Sequence, residues 1–183
     1  LQIIEPKEYN SDFIGIKLGD VNGTVNPRFN KLDNRIIDKL NLILENQFLL
    51  ANQTYKIPIR AEHFQDIEGF QFTLNYDPQH LVYQGVESGV LPINNSHFGD
   101  LKNGVLTSSW NSDHAEKHTN DEVLFYLNFI VVKDGALSNL LNITNDIITS
   151  EAYASDESLR AVQLHFSKSY DEQNKDEILL FQN

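Results

Sequence analysis

Cysteine is absent from the chain, and basic residues are scarce. Without any Cys among the 183 residues, neither a disulfide framework nor a thiolate metal site can form. Only 14 Lys and Arg face 26 Asp and Glu, which gives a formal net charge of −12. This balance argues against nucleic acid and anionic membranes as partners, because both are bound by clustered cations. It is compatible with calcium, glycans or another protein module.

Long apolar runs and catalytic motifs are missing too. No apolar run approaches the roughly 18 residues that a membrane span needs, and the first residues lack the basic-then-apolar pattern of a signal peptide. The sequence has no Gly-rich phosphate loop, no Gly-x-Ser-x-Gly motif and no Cys nucleophile, so we expect a non-catalytic protein. Hydrophobic residues still make up 40% and aromatic residues 10%, which is enough apolar material for a folded core.

The sequence does contain a series of short segments with a two-residue period. Apolar side chains alternate with polar ones, and clusters of Asp, Asn, Gly and Pro separate the segments, as is typical of strands joined by turns. Residues 34–44 also fit a helix, but a two-residue period fits them at least as well. The pattern predicts an all-β, antiparallel β-sandwich. The segments are "RIIDKLNLILENQ", "YKIPIRAEHF", "IEGFQFTLNYD", "HLVYQGVES", "GVLTSSWNS", "EVLFYLNFIVV" and "AVQLHFS".

The two ends of the chain differ from this middle part. Residues 1–33 are richer in Asn, Asp and Gly, and we expect a short extended segment and a loop there. Residues 168–183 begin as a charged linker and end in the apolar "ILLFQN". We therefore expect one β-sandwich domain over residues 34–167, in a chain that is a piece of a larger protein.

The stretch "GFQFTLNYDPQHLVYQGVESGVLP" resembles the cohesin family. In that family a strand ending in Tyr-Asp-Pro is followed by a short turn, a Leu and a second strand that runs toward a Gly. The matching residues here are Tyr76, Asp77, Pro78, Leu81 and Gly89. The segments "YKIPIRA" and "EVLFYLNFIVVKDGALSNLLNIT" look like an early strand and a late hairpin of the family, so the resemblance covers about residues 36–166. It implies a jelly-roll β-sandwich of about nine strands that binds dockerins through one sheet face.

A second motif, "GDVNG", resembles the calcium loop of dockerins. That loop has the form Asp-x-Asn-x-Asp-Gly, with an acidic residue at its twelfth position. Asp20 and Asn22 match this form, whereas Thr24 stands where an Asp is expected and Lys31 occupies the twelfth position. The resemblance implies a degenerate dockerin-like segment. Its Asp20, Asn22 and Thr24 form either a polar turn or a weak Ca²⁺ site.

Three polar residues of the strand before Tyr76 are the candidate binding residues. Gln71, Thr73 and Asn75 alternate with apolar neighbours, so we expect them to point away from the core. The resemblance implies that cohesins place dockerin contacts on this side of the strand. However, Gln71 and Gly69 stand where those proteins tend to have an acidic residue and an Asn. A plain solvated face is therefore the alternative.

Trp110, the only Trp, raises a second possible function. An exposed aromatic ring can stack on a sugar, so Trp110 with nearby tyrosines would indicate a carbohydrate-binding module, whereas a single Trp in a strand is otherwise a core residue. The adjoining loop collects His114, Glu116 and His118. We expect no metal site in this loop, because no helix or strand frame is expected to hold three ligands in place.

These features together predict a non-catalytic, cohesin-like module that binds a dockerin-type or other surface protein, or acts as a spacer. The alternative is a carbohydrate-binding module that uses Trp110. Similar arrangements precede sorting signals in bacterial surface proteins that use the type IX secretion route, and "LLFQN" looks like the start of such a signal. The resemblance thus implies a secreted protein of the bacterial cell surface, without nucleic acid binding or membrane insertion. The only cofactor we expect is weakly bound Ca²⁺.

Overall fold

The computed structural model describes residues 38–168, which contain twelve strands and one short helix. The strands are β1 (Lys39–Glu45), β2 (Phe48–Leu49), β3 (Thr54–Glu62), β4 (Ile67–Tyr76), β5 (Leu81–Ser88), β6 (Phe98–Asp100), β7 (Val105–Glu116), β8 (Phe125–Val131), β9 (Gly135–Ala136), β10 (Leu141–Thr144), β11 (Glu151–Ala154) and β12 (Leu159–Ser167). The helix α1 (Leu137–Leu140) is a single turn before β10, and a 3₁₀ turn (Asn95–His97) precedes β6. No helix within residues 38–168 is long and apolar enough to cross a membrane.

Predictions for both ends of the chain lie outside the described residues. This applies to the dockerin-like segment 1–33, with Asp20, Asn22 and Thr24, and to residues 168–183 apart from Lys168. They remain predictions.

The strands follow one continuous order that folds into two layers. The order is β5-β8-β3-β1-β12-β11-β4-β7-β6, and β10 also pairs with β4. All strand pairs are antiparallel except β1 with β12. One layer contains β5, β8, β3, β1 and β12, and the other contains β10, β11, β4, β7 and β6. The predicted antiparallel jelly-roll β-sandwich is confirmed.

The two-residue period of apolar side chains in the sequence appears in the structure as alternating burial. In β1, Leu40, Leu42 and Leu44 are buried while the residues between them are partly exposed. The strand prediction is therefore correct for Lys39–Leu44, and the helix alternative is wrong there. Full burial of each such side chain contributes roughly 1.5–3 kcal/mol relative to exposure.

Aromatic rings join the two layers in the core. The Phe70 ring on β4 lies 5.2 Å from the Trp110 ring of β7 and 6.4 Å from the Phe125 ring of β8, between ring centroids. Phe72 stacks on Phe70 at 5.9 Å within β4. These rings belong to both layers, so the sandwich shares one packed core.

β10 and β11 behave as one strand that is interrupted. Thr144 at the end of β10 pairs with Thr73 of β4, and Glu151 at the start of β11 pairs with Gln71 of the same strand. Residues 145–150 therefore leave the sheet and return to it almost at the same place. Nine strands remain if β10 and β11 are counted as one and the two-residue pair β2–β9 is set aside (12 − 1 − 2), in agreement with the expected number.

The Tyr-Asp-Pro turn ends β4. The Asp77 carboxylate accepts a hydrogen bond from the Gln79 backbone N–H at 2.8 Å and lies 2.8 Å from Nδ1 of His80. The Gln79 hydrogen bond is the main reason that the pKa of Asp77 is lowered. Leu81 then returns to the core, where it is buried. Gly104, with φ of +86°, passes so close to the Tyr76 carbonyl oxygen that a Cβ would overlap it.

Candidate functional site

The outer surface of β6, β7, β4 and β11 forms a polar face. Thr107 and Ser109 of β7 lie opposite Thr73 and Gln71 of β4, and Gly99 of β6 lies opposite Thr107. Successive side chains of a strand point to opposite sides of the sheet, so the apolar residues between these polar ones face the core. We call this surface the polar face, defined by Gly99, Thr107, Ser109, Asn111, Gln71, Thr73, Asn75, Glu151 and Tyr153.

The predicted binding residues lie on this face, but a loop covers the middle one. Thr73 is 0% exposed, because the segment 145–150 (the 145–150 loop) crosses over it. The Thr73 hydroxyl donates to the Ile148 carbonyl at 3.2 Å and accepts from the Ile148 N–H at 3.1 Å. The prediction that Thr73 is a solvent-facing recognition residue is therefore wrong: its hydroxyl is bonded within the fold.

The flanking residues Gln71 and Asn75 also bond to this part of the chain. The Gln71 amide donates to the Thr149 carbonyl at 3.1 Å, and the Asn75 amide donates to Asp146 at 3.3 Å. Both side chains are half-buried. The structure thus brings Gln71, Thr73 and Asn75 together on one face, and it uses all three to hold the loop.

A groove remains open beside the loop. It has a volume of about 380 Å³ and runs between Ile148 and the 96–99 turn, with Gln71, Thr107 and Ser109 among its lining residues. Gly99 keeps one side of it open, because a Cβ at this position would lie 2.7 Å from the Thr107 hydroxyl oxygen. The groove is shallow, and the hydroxyl groups of Ser96, Thr107 and Ser109 line it beside the apolar Phe98 and Ile148, which suits contact with a protein surface better than enclosure of a small molecule.

Acidic and aromatic side chains border this polar face. The Tyr153 hydroxyl donates to Oε1 of Glu151 at 2.6 Å, and the same oxygen accepts from the Gln71 amide at 3.3 Å. Burial and this hydrogen bond raise the pKa of Tyr153 to about 12. Tyr153 is still 39% exposed, and Ile147 at the tip of the loop is 54% exposed. The face therefore offers hydroxyls, carboxylates and a few large exposed side chains.

Trp110 takes no part in this surface. It is 2% exposed and its ring contacts Phe70 and Phe64 in the core, at 5.2 and 6.4 Å between centroids. A buried ring cannot stack on a sugar, so the prediction that Trp110 is a binding residue is wrong, and Trp110 is a core residue. The core interpretation that the strand context favoured is confirmed.

His114 and Glu116 lie on the last residues of β7, and not in a loop as the sequence predicted, and His118 follows the strand; the histidines there lie close to Glu side chains. Nε2 of His114 lies 3.2 Å from Glu116, and His118 lies 3.6 Å from both Glu116 and Glu122. Within the described part of the chain, no group of three His, Cys, Asp or Glu residues could hold a metal ion.

The groove includes residues that sequence reasoning did not single out. Thr107 and Ser109 were recognisable, since the two-residue period of "LTSSWN" places them on the side opposite Trp110. Ile148 had no such signal, because its position depends on hydrogen bonds to a residue 75 positions earlier in the chain.

A family model and solved structures resemble this chain. The model of the Cohesin domain matches residues 50–167, which is more than half of the chain. The sixth cohesin of scaffoldin B from Acetivibrio cellulolyticus, solved with a dockerin mutant, is 17% identical, with a TM-score of 0.54 and 72% of this chain and 98% of that chain covered. A type I cohesin–dockerin complex from Clostridium thermocellum gives 13% identity and a TM-score of 0.54, with coverage of 72% and 100%. No curated protein matches the chain.

These similarities agree with the geometry. The structural likeness is at low identity and shows the fold, while the family model covers the strands from β3 to β12. The chain belongs to the cohesin family.

Proposed function

We propose that this cohesin domain is a non-catalytic protein–protein interaction module that binds a dockerin-type partner through the polar face. The observation that carries the proposal is the open groove between Ile148 and the 96–99 turn. Two structurally similar cohesins are described in complexes with dockerins, which supports this class of partner.

The surface chemistry indicates what such a partner would present. Ser109 and Asn111 are exposed and can exchange hydrogen bonds with polar side chains. Asp146 and Glu151 lie on or beside the same face, where they bond to Asn75 and Gln71, so basic side chains would be complementary in charge. The exposed Ile147 would contact an aliphatic group.

A matched pair of variants tests the proposal. Ser109→Arg places a long side chain in the groove, and Gln84→Arg places the same side chain at an exposed position of β5 on the other layer. Binding of the full chain to a panel of purified dockerin domains would be measured by titration calorimetry. We expect at least one dockerin to bind, and we expect Ser109→Arg to weaken it by about tenfold or more, as for a disrupted interface centre.

The control separates a site effect from a charge effect. If Gln84→Arg weakened dockerin binding as much as Ser109→Arg, the interface would lie elsewhere or the loss of affinity would be due to the added charge alone. Binding of none of the dockerins would leave the spacer role as the better description of this domain.

The carbohydrate-binding alternative lacks a supporting observation. Its platform, Trp110, is buried. Tyr126, another candidate, carries the Lys56 ammonium group 4.2 Å from its ring centroid, so that ring is already occupied on one face.

The wider context is proposed on the sequence alone. We propose that the protein is secreted to a bacterial cell surface by the type IX route, and that residues 1–33 are a degenerate dockerin-like segment that precedes the sandwich domain of residues 34–167 in the sequence. Weak Ca²⁺ binding by Asp20, Asn22 and Thr24 belongs to this proposal. Calorimetric titration of the full chain with Ca²⁺ would show a weak heat of binding that is absent from Asp20→Ala; no heat in the parent chain would contradict it.

A further inference from the structure

One side of β12 has no strand partner over its second half, among residues 38–168. β12 pairs with β1 along residues 161–167, but on its other side β11 pairs only with residues 159–161. Beyond that point the neighbouring strand would be β10, which pairs only with β4. The sandwich is therefore open between β10 and the end of β12.

Backbone hydrogen bonds show which residues of β12 face this opening. The Ala161 N–H donates to Asp38 at 3.1 Å and the Ser167 carbonyl accepts from Asn46 at 2.9 Å, both toward β1. The Val162 N–H donates to the Ser150 carbonyl at 3.0 Å, on the opposite side. Backbone groups of a strand alternate in direction.

Because of this alternation, the N–H and C=O groups of Leu164 and Phe166 point away from β1. The side chains of both residues are half-buried and pack against the core. The pair Leu164 and Phe166 is called the β12 edge here. It presents two donors and two acceptors in a row, which is the pattern that an added strand would complete.

A groove accompanies the β12 edge. It has a volume of about 360 Å³, and its lining includes Leu164, Phe166, Leu140 and Leu141 with the amide side chains of Asn75, Asn139 and Asn142. Apolar side chains thus lie beside the backbone N–H and C=O groups of Leu164 and Phe166, which have no strand partner among residues 38–168. Among the lining residues that the structure describes, Asp77 is the one with a charged side chain, and it is acidic, so the groove favours a partner segment with positive charge.

The outer edges of the two layers are closed in other ways. At β5, the Asn95 side chain accepts a hydrogen bond from the Val86 N–H at 2.9 Å, and Gly85 interrupts the register. At the opposite end, β6 has only three residues. Short or covered edges are the usual protection against unwanted strand pairing. Among residues 38–168, neither a strand nor a side chain bonds to the backbone of Leu164 and Phe166 on the side away from β1.

We propose that the β12 edge accepts an extended strand from a partner protein, a strand with aliphatic side chains at alternate positions and flanking basic residues. Main-chain hydrogen bonds to Leu164 and Phe166 supply the affinity, and the groove takes one aliphatic side chain. This site is separate from the polar face, and it recognises a strand by its backbone. The proposal does not depend on dockerin binding.

Amide hydrogen exchange on the full chain tests it. In the free protein, the amides of Leu164 and Phe166 should exchange faster than those of Gln163 and His165, whose N–H groups face β1. The probe is a capped heptapeptide of sequence KVTVTVK. With free peptide at about ten times its dissociation constant, exchange at Leu164 and Phe166 should slow about tenfold, because only the unbound fraction exchanges.

Two controls identify the mode of binding. The same peptide N-methylated at all its Val and Thr residues keeps residue N–H donors only at its two terminal Lys residues and should not bind. Phe166→Ala should weaken binding because it removes apolar lining, whereas His165→Ala, exposed on the same strand, should leave binding unchanged. If Phe166→Ala does not fold, the methylated peptide still decides the question.

Each remaining outcome overturns the proposal. Slow exchange of Leu164 and Phe166 in the free protein at all concentrations would mean that the chain itself fills the groove. Slow exchange that grows with protein concentration would identify a second copy as the occupant. Unchanged exchange with peptide, or equal binding of the methylated peptide, would show that no strand is added there.

Discussion

β4 and β7 are neighbours in one sheet and carry the same kind of sequence, yet their outer faces differ. The outward Thr73 of β4 is fully buried, whereas the outward Ser109 of β7 is exposed. Both residues alternate with core side chains such as Phe72 and Trp110. The comparison teaches that a two-residue period indicates the face on which a side chain lies, and that availability to a partner depends on what else crosses that face.

The largest expected difference in stability is between a core-facing and an outward-facing residue of β7. Trp110→Ala removes a core ring that contacts Phe64 and Phe70, and we expect it to lower the free energy of unfolding by about 3–5 kcal/mol. Ser109→Ala, one position away, should change it by no more than about 0.5 kcal/mol. Urea unfolding followed by circular dichroism measures both. Similar losses for the two variants would contradict the assignment of Ser109 to an open surface.

A smaller difference in stability is expected between outward-facing residues of β4 and β7. Thr73→Val keeps the side-chain shape but leaves the N–H and C=O of Ile148 without their partner, and we expect a loss of about 1–3 kcal/mol in the free energy of unfolding. Thr107→Val, directly opposite in the sheet, should cost about 0.5 kcal/mol or less. Equal effects in urea unfolding would mean that the 145–150 loop does not depend on Thr73.

The smallest expected effect concerns the acid–tyrosine contact beside β4. The pKa of Tyr153 in the folded protein, about 12, lies above its ordinary value of 10. Its contribution to stability is therefore complete below pH 10 and is lost as the pH rises through about 12. Tyr153→Phe should flatten the alkaline decline in stability, measured as the urea midpoint at intervals between pH 9 and 12. The other tyrosines contribute equally to both proteins, so an identical decline would show that the contact with Glu151 does not persist in solution.

Sequence reasoning predicted the strands well because their causes are local. The alternation of Leu40, Leu42 and Leu44 and the Tyr76-Asp77-Pro78 turn each depend on adjacent residues, and both appear in the structure as predicted. The same local alternation explains why the residues from 39 onward form a strand and not a helix.

The candidate site was less predictable because its causes are distant. Thr73 and Thr107 have similar neighbours in sequence, and only the return of residues 145–150 buries one of them. Trp110 likewise gave two interpretations until the positions of Phe64 and Phe70 were known. No local pattern encodes either packing arrangement.

The parallel pairing of β1 with β12 also bears on how the domain responds to mechanical force. Lys39 pairs with Ala161 and Glu45 with Ser167, so the chain enters at one end of this pair and leaves at the other, about 20 Å away for strands of this length. Tension between entry and exit would therefore pull the two strands lengthwise past each other. The backbone hydrogen bonds between them would be loaded together in shear, and not opened one after another as in an unzipping hairpin. A domain stretched between these two points would resist unfolding through this strand pair.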